Sequence, residues 1–267
     1  MPLFDDTVLG QRGRVVLVTG GGRGVGRGIA ERFLAAGATV VICGRKDPES
    51  LPSGGGAVAA FSAADVRDAE QVNALVDGIV ERHGRLDVVV NNAGGSPPSE
   101  SATAPARFST AIVTLNLLAP LFVAQAANAV MQKQDEGGLI INIGSVSATR
   151  PNPSTVAYGA AKAGLVNLTE TLAVEWGPKV RVNLITAGYV RTELSHLYYG
   201  DEEGIAAVGA TIPLGRMAEP GDIGDGCLLL ASPLARYISG ANLAVHGGGE
   251  RPAYLEASRG DVTKEKG

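Results

Sequence analysis

The chain reads as an α/β fold, a doubly wound parallel sheet of about seven strands with helices on both faces. Three observations predict it. Short runs such as RVVLVT (14–19), ATVVIC (38–43) and LDVVVN (86–91) have continuous apolar centres instead of alternating, the pattern of strands buried on both faces. Between successive runs lie stretches suited to crossover helices, and that alternation builds a parallel sheet. The first run ends on a glycine-rich turn that opens directly into a helical pattern.

Taken in order, the strand at 14–19 is followed by a helix over 24–36 and a second strand at 38–43. Residues 46–56 hold Pro48, Pro52 and three glycines, so a loop with at most one helical turn is expected there. A third strand is placed at 57–63. Val72, Leu75, Val76, Ile79 and Val80 form a helical stripe within 66–83, and the strand at 86–91 follows. One helix is then expected over 105–134, a strand at 139–144, a helix at 157–176 and a strand at 180–185; segments 223–231 and 243–245 close the series. Residues 1–13 form an N-terminal extension, 14–249 a single domain with a substrate lid at about 190–213, and 250–267 a tail whose last residues, DVTKEKG, are polar enough to fray. No internal repeat or low-complexity tract interrupts this plan.

At 267 residues, 45% apolar and 19% charged, the chain has the composition of one globular α/β domain with a sizeable core. Its net charge of -4 gives no basic footprint for nucleic acid or an anionic membrane. Glycine, at 37 residues, is about twice its usual ~7% share without a collagen period, which points to loops where backbone approaches something closely. Cys43 and Cys227 lie in separate apolar runs and suggest neither a disulfide framework nor a metal site. His83, His196 and His246 lack metal-ligand spacing. The acidic N-terminus has no basic segment followed by a long apolar one, and no apolar run approaches the ~18 residues that span a membrane. A cytoplasmic location is the expectation.

The turn after the first strand reads Thr19-Gly20-Gly21-Gly22-Arg23-Gly24-Val25-Gly26. Glycines there let backbone turn tightly and approach a pyrophosphate, while the helix N-terminus offers free amides to the anion. Gly20, Gly22, Arg23, Gly24, Val25 and Gly26 are therefore candidate dinucleotide ligands. Cofactor choice is set at the end of the second strand, where a carboxylate would bind a ribose 2′-hydroxyl. Gly44-Arg45-Lys46 stands there, with no carboxylate before Asp47. Arg45 and Lys46, with Arg23 in the turn, suit a 2′-phosphate, so NADP(H) is expected over NAD(H).

Chemistry is expected from SVSATRPNPSTVAYGAAK, 145–162. Tyr158 and Lys162 stand four apart in a run of helix formers and share one face. A phenol titrates near pH ~10, and lowering it by roughly three units requires about 4 kcal/mol. An ammonium beside it favours the phenolate, and an oxidised nicotinamide would add a second cation.

Together these motifs resemble the short-chain dehydrogenase/reductase family over residues 14–248: TGGGRGVG at 19–26, Asp65-Val66, Asn91-Asn92-Ala93-Gly94, Asn116, Ser145, and Tyr158 with Lys162. The resemblance implies a single-domain Rossmann fold. It implies that Asp65 and Val66 contact adenine, that Asn92, Ala93 and Gly94 line the nicotinamide side, and that Gly188, Val190 and Thr192 meet the carboxamide. It further implies catalysis by Asn116, Ser145, Tyr158 and Lys162: Tyr158 as acid/base, Ser145 bonded to the substrate oxygen, Lys162 on the ribose and lowering the Tyr158 pKa, and Asn116 holding a water. Family members often assemble as homotetramers or homodimers through the helices placed at 105–134 and 157–176. Ala187 stands where the family often has proline, which predicts a more mobile loop entry.

The expected reaction is hydride transfer between NADP(H) and a small-molecule carbonyl or secondary alcohol. Leu194, Leu197, Tyr198, Tyr199 and Ile205 favour an apolar substrate, or else pack a lid helix. A 3-oxoacyl-thioester reductase is the alternative enzyme, with Arg150 as its basic dock. A non-catalytic nicotinamide-nucleotide sensor is the alternative of another class. Ser147, Arg150 and Asn152 lie on the substrate-facing loop without an assigned role.

Overall fold

The structure is a computed structural model and describes residues 9–257; residues 1–8 and the end of the tail, where fraying was expected, lie outside it. The chain runs β1 (Val15–Thr19), α1 (Gly24–Ala35), β2 (Thr39–Gly44), β3 (Ser53–Gly54), β4 (Ala57–Val58), β5 (Ala60–Ala63), α2 (Ala69–His83) and β6 (Val88–Asn91). It continues through α3 (Ala106–Val113), a π-helical turn (Thr114–Leu118), α4 (Ala119–Met131), β7 (Gly138–Ser145), a 3-10 turn (Val146–Ala148), α5 (Val156–Trp176) and β8 (Val180–Ala187). Then come α6 (His196–Tyr199), α7 (Glu202–Ala210), α8 (Pro220–Ala231), β9 (Asn242–Val245) and α9 (Ala253–Ala257).

Seven strands form one parallel sheet in the order β5-β2-β1-β6-β7-β8-β9. Strand alternation splits the core. Val16 and Val18 face α1 and α8, packing with Ile29, Phe33, Ile223 and Cys227. Val15 and Leu17 face the other layer, with Val72, Leu75, Val123 and Leu172. Strand order reverses between β1 and β6, and in such sheets a ligand crevice opens at the carboxyl ends of those two strands. Thr19 and Asn91 end there.

Two expectations about elements are corrected. The third strand is split: Ala57–Val58 pairs antiparallel with Ser53–Gly54 in a small hairpin, and only Ala60–Ala63 joins the main sheet. Gly55 and Gly56 take positive φ (58° and 82°), which lets the chain reverse where no helical turn forms. The single helix at 105–134 is instead α3, a π turn and α4. Within the π turn Ala119 donates to the Thr114 carbonyl five residues back. Pro120 follows and has no N–H to continue the ladder. The 26-residue rod from Ala106 to Met131 is long and apolar enough to cross a membrane by length and composition, which corrects the expectation that no segment is. Its buried positions, Ile112, Asn116, Val123, Ala127 and Met131, make it a core helix of this fold.

Candidate active site

The glycine turn is bolted to the end of β6 by Thr19. Its hydroxyl accepts from the Asn92 and Ala93 amides, both at 3.0 Å, and the Asn92 side chain donates to the Thr19 and Gly20 carbonyls at 3.0 and 3.3 Å. A Cβ on Gly20 would lie 3.1 Å from the Ala93 Cα, and one on Gly26 would collide with the Gly20 carbonyl and the Asn92 amide. The sequence reading did not single out Thr19; its place before the turn was the available signal. Helix α1 begins at Gly24 behind an extended Arg23 with no side-chain cap and no acidic residue in the first turn. A cradle without side chains, facing uncapped amides, fits the pyrophosphate of a dinucleotide.

Arg23, in the turn, and Arg45 and Lys46, after β2, are exposed. Asp65 accepts from the Arg67 side chain at 2.9 Å, and Arg67, with a smaller contribution from Arg45, draws its carboxyl below the usual range. The Val66 side chain is buried in the core beside α2, so its part in an adenine site is limited to backbone. This narrows the expected contact.

At the candidate catalytic corner, Ser145 ends β7 and Tyr158 and Lys162 lie on α5. The Tyr158 phenol lies near Ser145, whose oxygen accepts from the Ser147 amide at 3.2 Å. Burial pushes the Tyr158 pKa up, opposed by the nearby Ser145 hydroxyl. Lys162 is 4% exposed; burial lowers its pKa to about 8. Its ammonium donates to the Ile143 carbonyl at 2.7 Å and lies 5.7 Å from the Tyr158 ring centre. Desolvation thus acts on both groups, and the ammonium gives its hydrogen bond to a carbonyl.

Asn116 sits in the π turn. Its side chain donates to the Ile112 and Gly95 carbonyls at 2.9 and 3.0 Å and accepts from the Gly95 amide at 2.9 Å. A Cβ on Gly94 would stand 2.7 Å from its oxygen and 3.6 Å from the Lys162 nitrogen. Gly94, Asn116 and Lys162 therefore converge. Behind them Asn91 donates to Asn142, which donates to Thr169, both at 2.9 Å. This buried chain ties β6 and β7 to α5.

At the end of β8, Ala187 pairs with Ser145 on one side and Val245 on the other, and the Gly188 amide donates to the Val245 carbonyl at 3.1 Å. The ladder thus holds position 187 itself in the sheet. Val190 bridges to Ala218, and the Thr192 methyl lies 3.5 Å from where a Gly24 Cβ would be, bringing the lid base to the glycine turn. Ile205, Ile212 and Met217 pack with Tyr189, Tyr199 and Val208 inside the lid, while His196, Leu197 and Tyr198 are exposed. Next to Ser145 opens a cavity of about 570 Å³, lined by Val146, Thr149, Gly188, Asn242 and His246 and rimmed by an Arg150–Glu250 ion pair. Of the five apolar residues expected to face the substrate or pack the lid, Tyr199 and Ile205 pack within the lid, while Leu197 and Tyr198 stand exposed.

Comparison with known proteins bears on the family and the fold. The family model described as enoyl-(acyl carrier protein) reductase matches residues 20–250. L-rhamnose 1-dehydrogenase (NAD(P)(+)) of Azotobacter vinelandii is 36% identical over 247 residues, covering 88% of this chain and 96% of that one. The crystal structure of a putative short-chain alcohol dehydrogenase from Sinorhizobium meliloti 1021 superposes with a TM-score of 0.82 at 34% identity, covering 90% of this chain and 98% of that one. The chain belongs to the short-chain dehydrogenase/reductase family. The 3-oxoacyl-(acyl-carrier-protein) reductase FabG of Vibrio harveyi, 34% identical over 246 residues with 88% and 97% covered, is a further relative. As a short-chain dehydrogenase/reductase the chain is an oxidoreductase that uses a nicotinamide cofactor in alcohol and carbonyl chemistry on small molecules.

Proposed function

We propose that this enzyme interconverts a secondary alcohol and its carbonyl compound with NADP(H), and that Tyr158 moves the proton. The observation that carries this reading is the convergence of Tyr158 and Lys162, 5.7 Å from ring centre to ammonium, beside Ser145 at the end of β7. A bound nicotinamide supplies the hydride chemistry. Ser145 donates to the substrate oxygen as charge develops, and Tyr158 gives or takes the proton at its phenol oxygen. Lys162 has two N–H donors beyond the one used on Ile143, free for a ribose hydroxyl. Asn116 and Gly95 hold the neighbouring backbone. Gly20–Gly26, Asp65, the Val66 backbone, Asn92–Gly94, Gly188, Val190 and Thr192 complete the cofactor site, and Arg23, Arg45 and Lys46 favour a 2′-phosphate. The Arg150–Glu250 pair at the rim of the cavity beside Ser145 supports a substrate that carries polar groups.

A cytoplasmic homotetramer or homodimer goes with this reading. The outward faces of the Ala106–Met131 rod and α5 leave Leu118, Val156 and Val174 exposed, which supports pairing through those helices. Similarity to the Vibrio harveyi reductase keeps a 3-oxoacyl thioester as a second reading, but the Arg150 charge is already met by Glu250. Assaying NADPH oxidation with acetoacetyl thioesters beside simple and hydroxylated ketones distinguishes the two. Fluorescence titration tests the cofactor; tighter binding of NADH than NADPH would overturn the choice.

A further inference from the structure

The Arg150–Glu250 pair stands at the cavity rim with unusual company. Arg150 Nη2 lies 2.7 Å from a Glu250 oxygen and donates to the Tyr189 hydroxyl at 2.9 Å, and its guanidinium carbon is 5.6 Å from the Tyr189 ring centre. Arg150 Nε and His246 Nδ1 are buried without a hydrogen-bond partner. Thr149, Asn242 and His246 add further polar groups to the wall. Val146 follows Ser145 in the chain, and Gly188 follows the strand partner of Ser145. A molecule at Ser145 and Tyr158 that reached past Val146 and Gly188 would run along this wall toward the pair.

Resting on the oxidoreductase reading of that corner, we propose that Arg150, with Glu250 and Tyr189, is a specificity determinant that holds hydroxyls of a polyhydroxylated alcohol or carbonyl substrate, away from its reacting carbon. The pair presents N–H donors and carboxylate acceptors side by side. Hydroxyls both donate and accept, so neighbouring ones engage both halves and leave the pair intact. A substrate carboxylate meets the Glu250 charge head-on. An apolar substrate strips water from a charged pair and returns no hydrogen bond.

Three C5 alcohols test the proposal with NADP+: a pentitol, 2-pentanol and 4-hydroxypentanoate. The wild-type kcat/KM for the pentitol is expected to exceed that for 2-pentanol by about tenfold or more, the scale of one hydrogen bond to a charged group. In Arg150→Met that ratio falls about tenfold, chiefly through the pentitol KM, and Arg150→Lys restores part of it. Glu250→Gln, nearly isosteric, gives the same readout should Arg150→Met fail to fold. An unchanged ratio in a folded Arg150→Met or Glu250→Gln overturns the proposal, as does a preference for 4-hydroxypentanoate over the pentitol. If the wild type turns over none of the three and reduces no ketone of the panel, the oxidoreductase reading itself falls, and the proposal with it.

Discussion

Lys162 holds its ammonium 5.7 Å from the centre of the Tyr158 ring and gives its hydrogen bond to the Ile143 carbonyl. The phenol is left to Ser145. Burial disfavours charge on both groups: the tyrosine is pushed up and the lysine down to about 8. At neutral pH the proton therefore rests on the phenol, which readies Tyr158 to donate in the reducing direction. Running the reaction as an oxidation requires a further positive charge close by.

Replacing Tyr158 by Phe removes the proton and little volume. A positioned general acid contributes ~10²–10⁴-fold, so kcat should fall by that order while NADPH affinity changes little. Steady-state assays at saturating cofactor, with parallel fluorescence titration, make the comparison. Near-normal turnover would exclude Tyr158 as the acid.

Lys162 makes stability depend on pH with a definite sign. Its pKa falls from 10.5 to about 8 on folding, so between those values the unfolded chain binds more protons and stability rises with pH. Below pH 8 the full desolvation cost, about 3 kcal/mol at ~1.36 per unit, weighs on the folded state, offset in part by the Ile143 bond. Lys162→Met should therefore lose turnover yet match or exceed the wild-type Tm at pH 7, an advantage that shrinks between pH 8 and 10. Thermal melts across that range would contradict the assignment if the two curves stayed parallel.

Arg45 is exposed beside Asp65. If it grips a 2′-phosphate, Arg45→Ala should weaken NADPH binding by about ten- to a hundredfold, the value of a charge-assisted hydrogen bond, and leave NADH within about twofold. Equal losses for both cofactors would remove the clamp.

Gly94→Ala places a methyl group 2.7 Å from the Asn116 oxygen. Overpacking of this kind costs about 1–3 kcal/mol, and the displaced Asn116 side chain loses its paired bonds to Gly95. A Tm lowered by several degrees, together with reduced kcat, is expected from melts and assays on the same preparation. An unchanged Tm would mean that the corner yields at no cost.

Much of the fold was legible because a strand buried on both faces must be apolar at every position, as Val15 through Val18 are. The hairpin at 53–58 was not, since Gly54 sits against the Glu31 carbonyl of α1 and only that packing tells the hairpin from the start of a strand. In the site, the glycine turn and the Tyr158–Lys162 spacing are local patterns and could be read directly. Their partners are not local. The carbonyl that takes the Lys162 bond belongs to Ile143, on a different element, and Arg150 meets a carboxylate one hundred positions later in the chain. Nor could motif spacing weigh desolvation against charge at Tyr158, because burial is a property of the folded packing.

The π turn at Thr114–Leu118 has a genetic meaning as well as a structural one. Such a turn accommodates about one residue more than an α-helical turn while leaving the helices on either side in register. Loss of a single codon here would let the rod close into continuous α-helix, with α3 and α4 still seated on their neighbours. It would also withdraw Asn116 from Gly94 and Gly95. The polar link at the catalytic corner is thus separable from the scaffold, acquired or discarded by one small insertion or deletion in a place where the fold tolerates it.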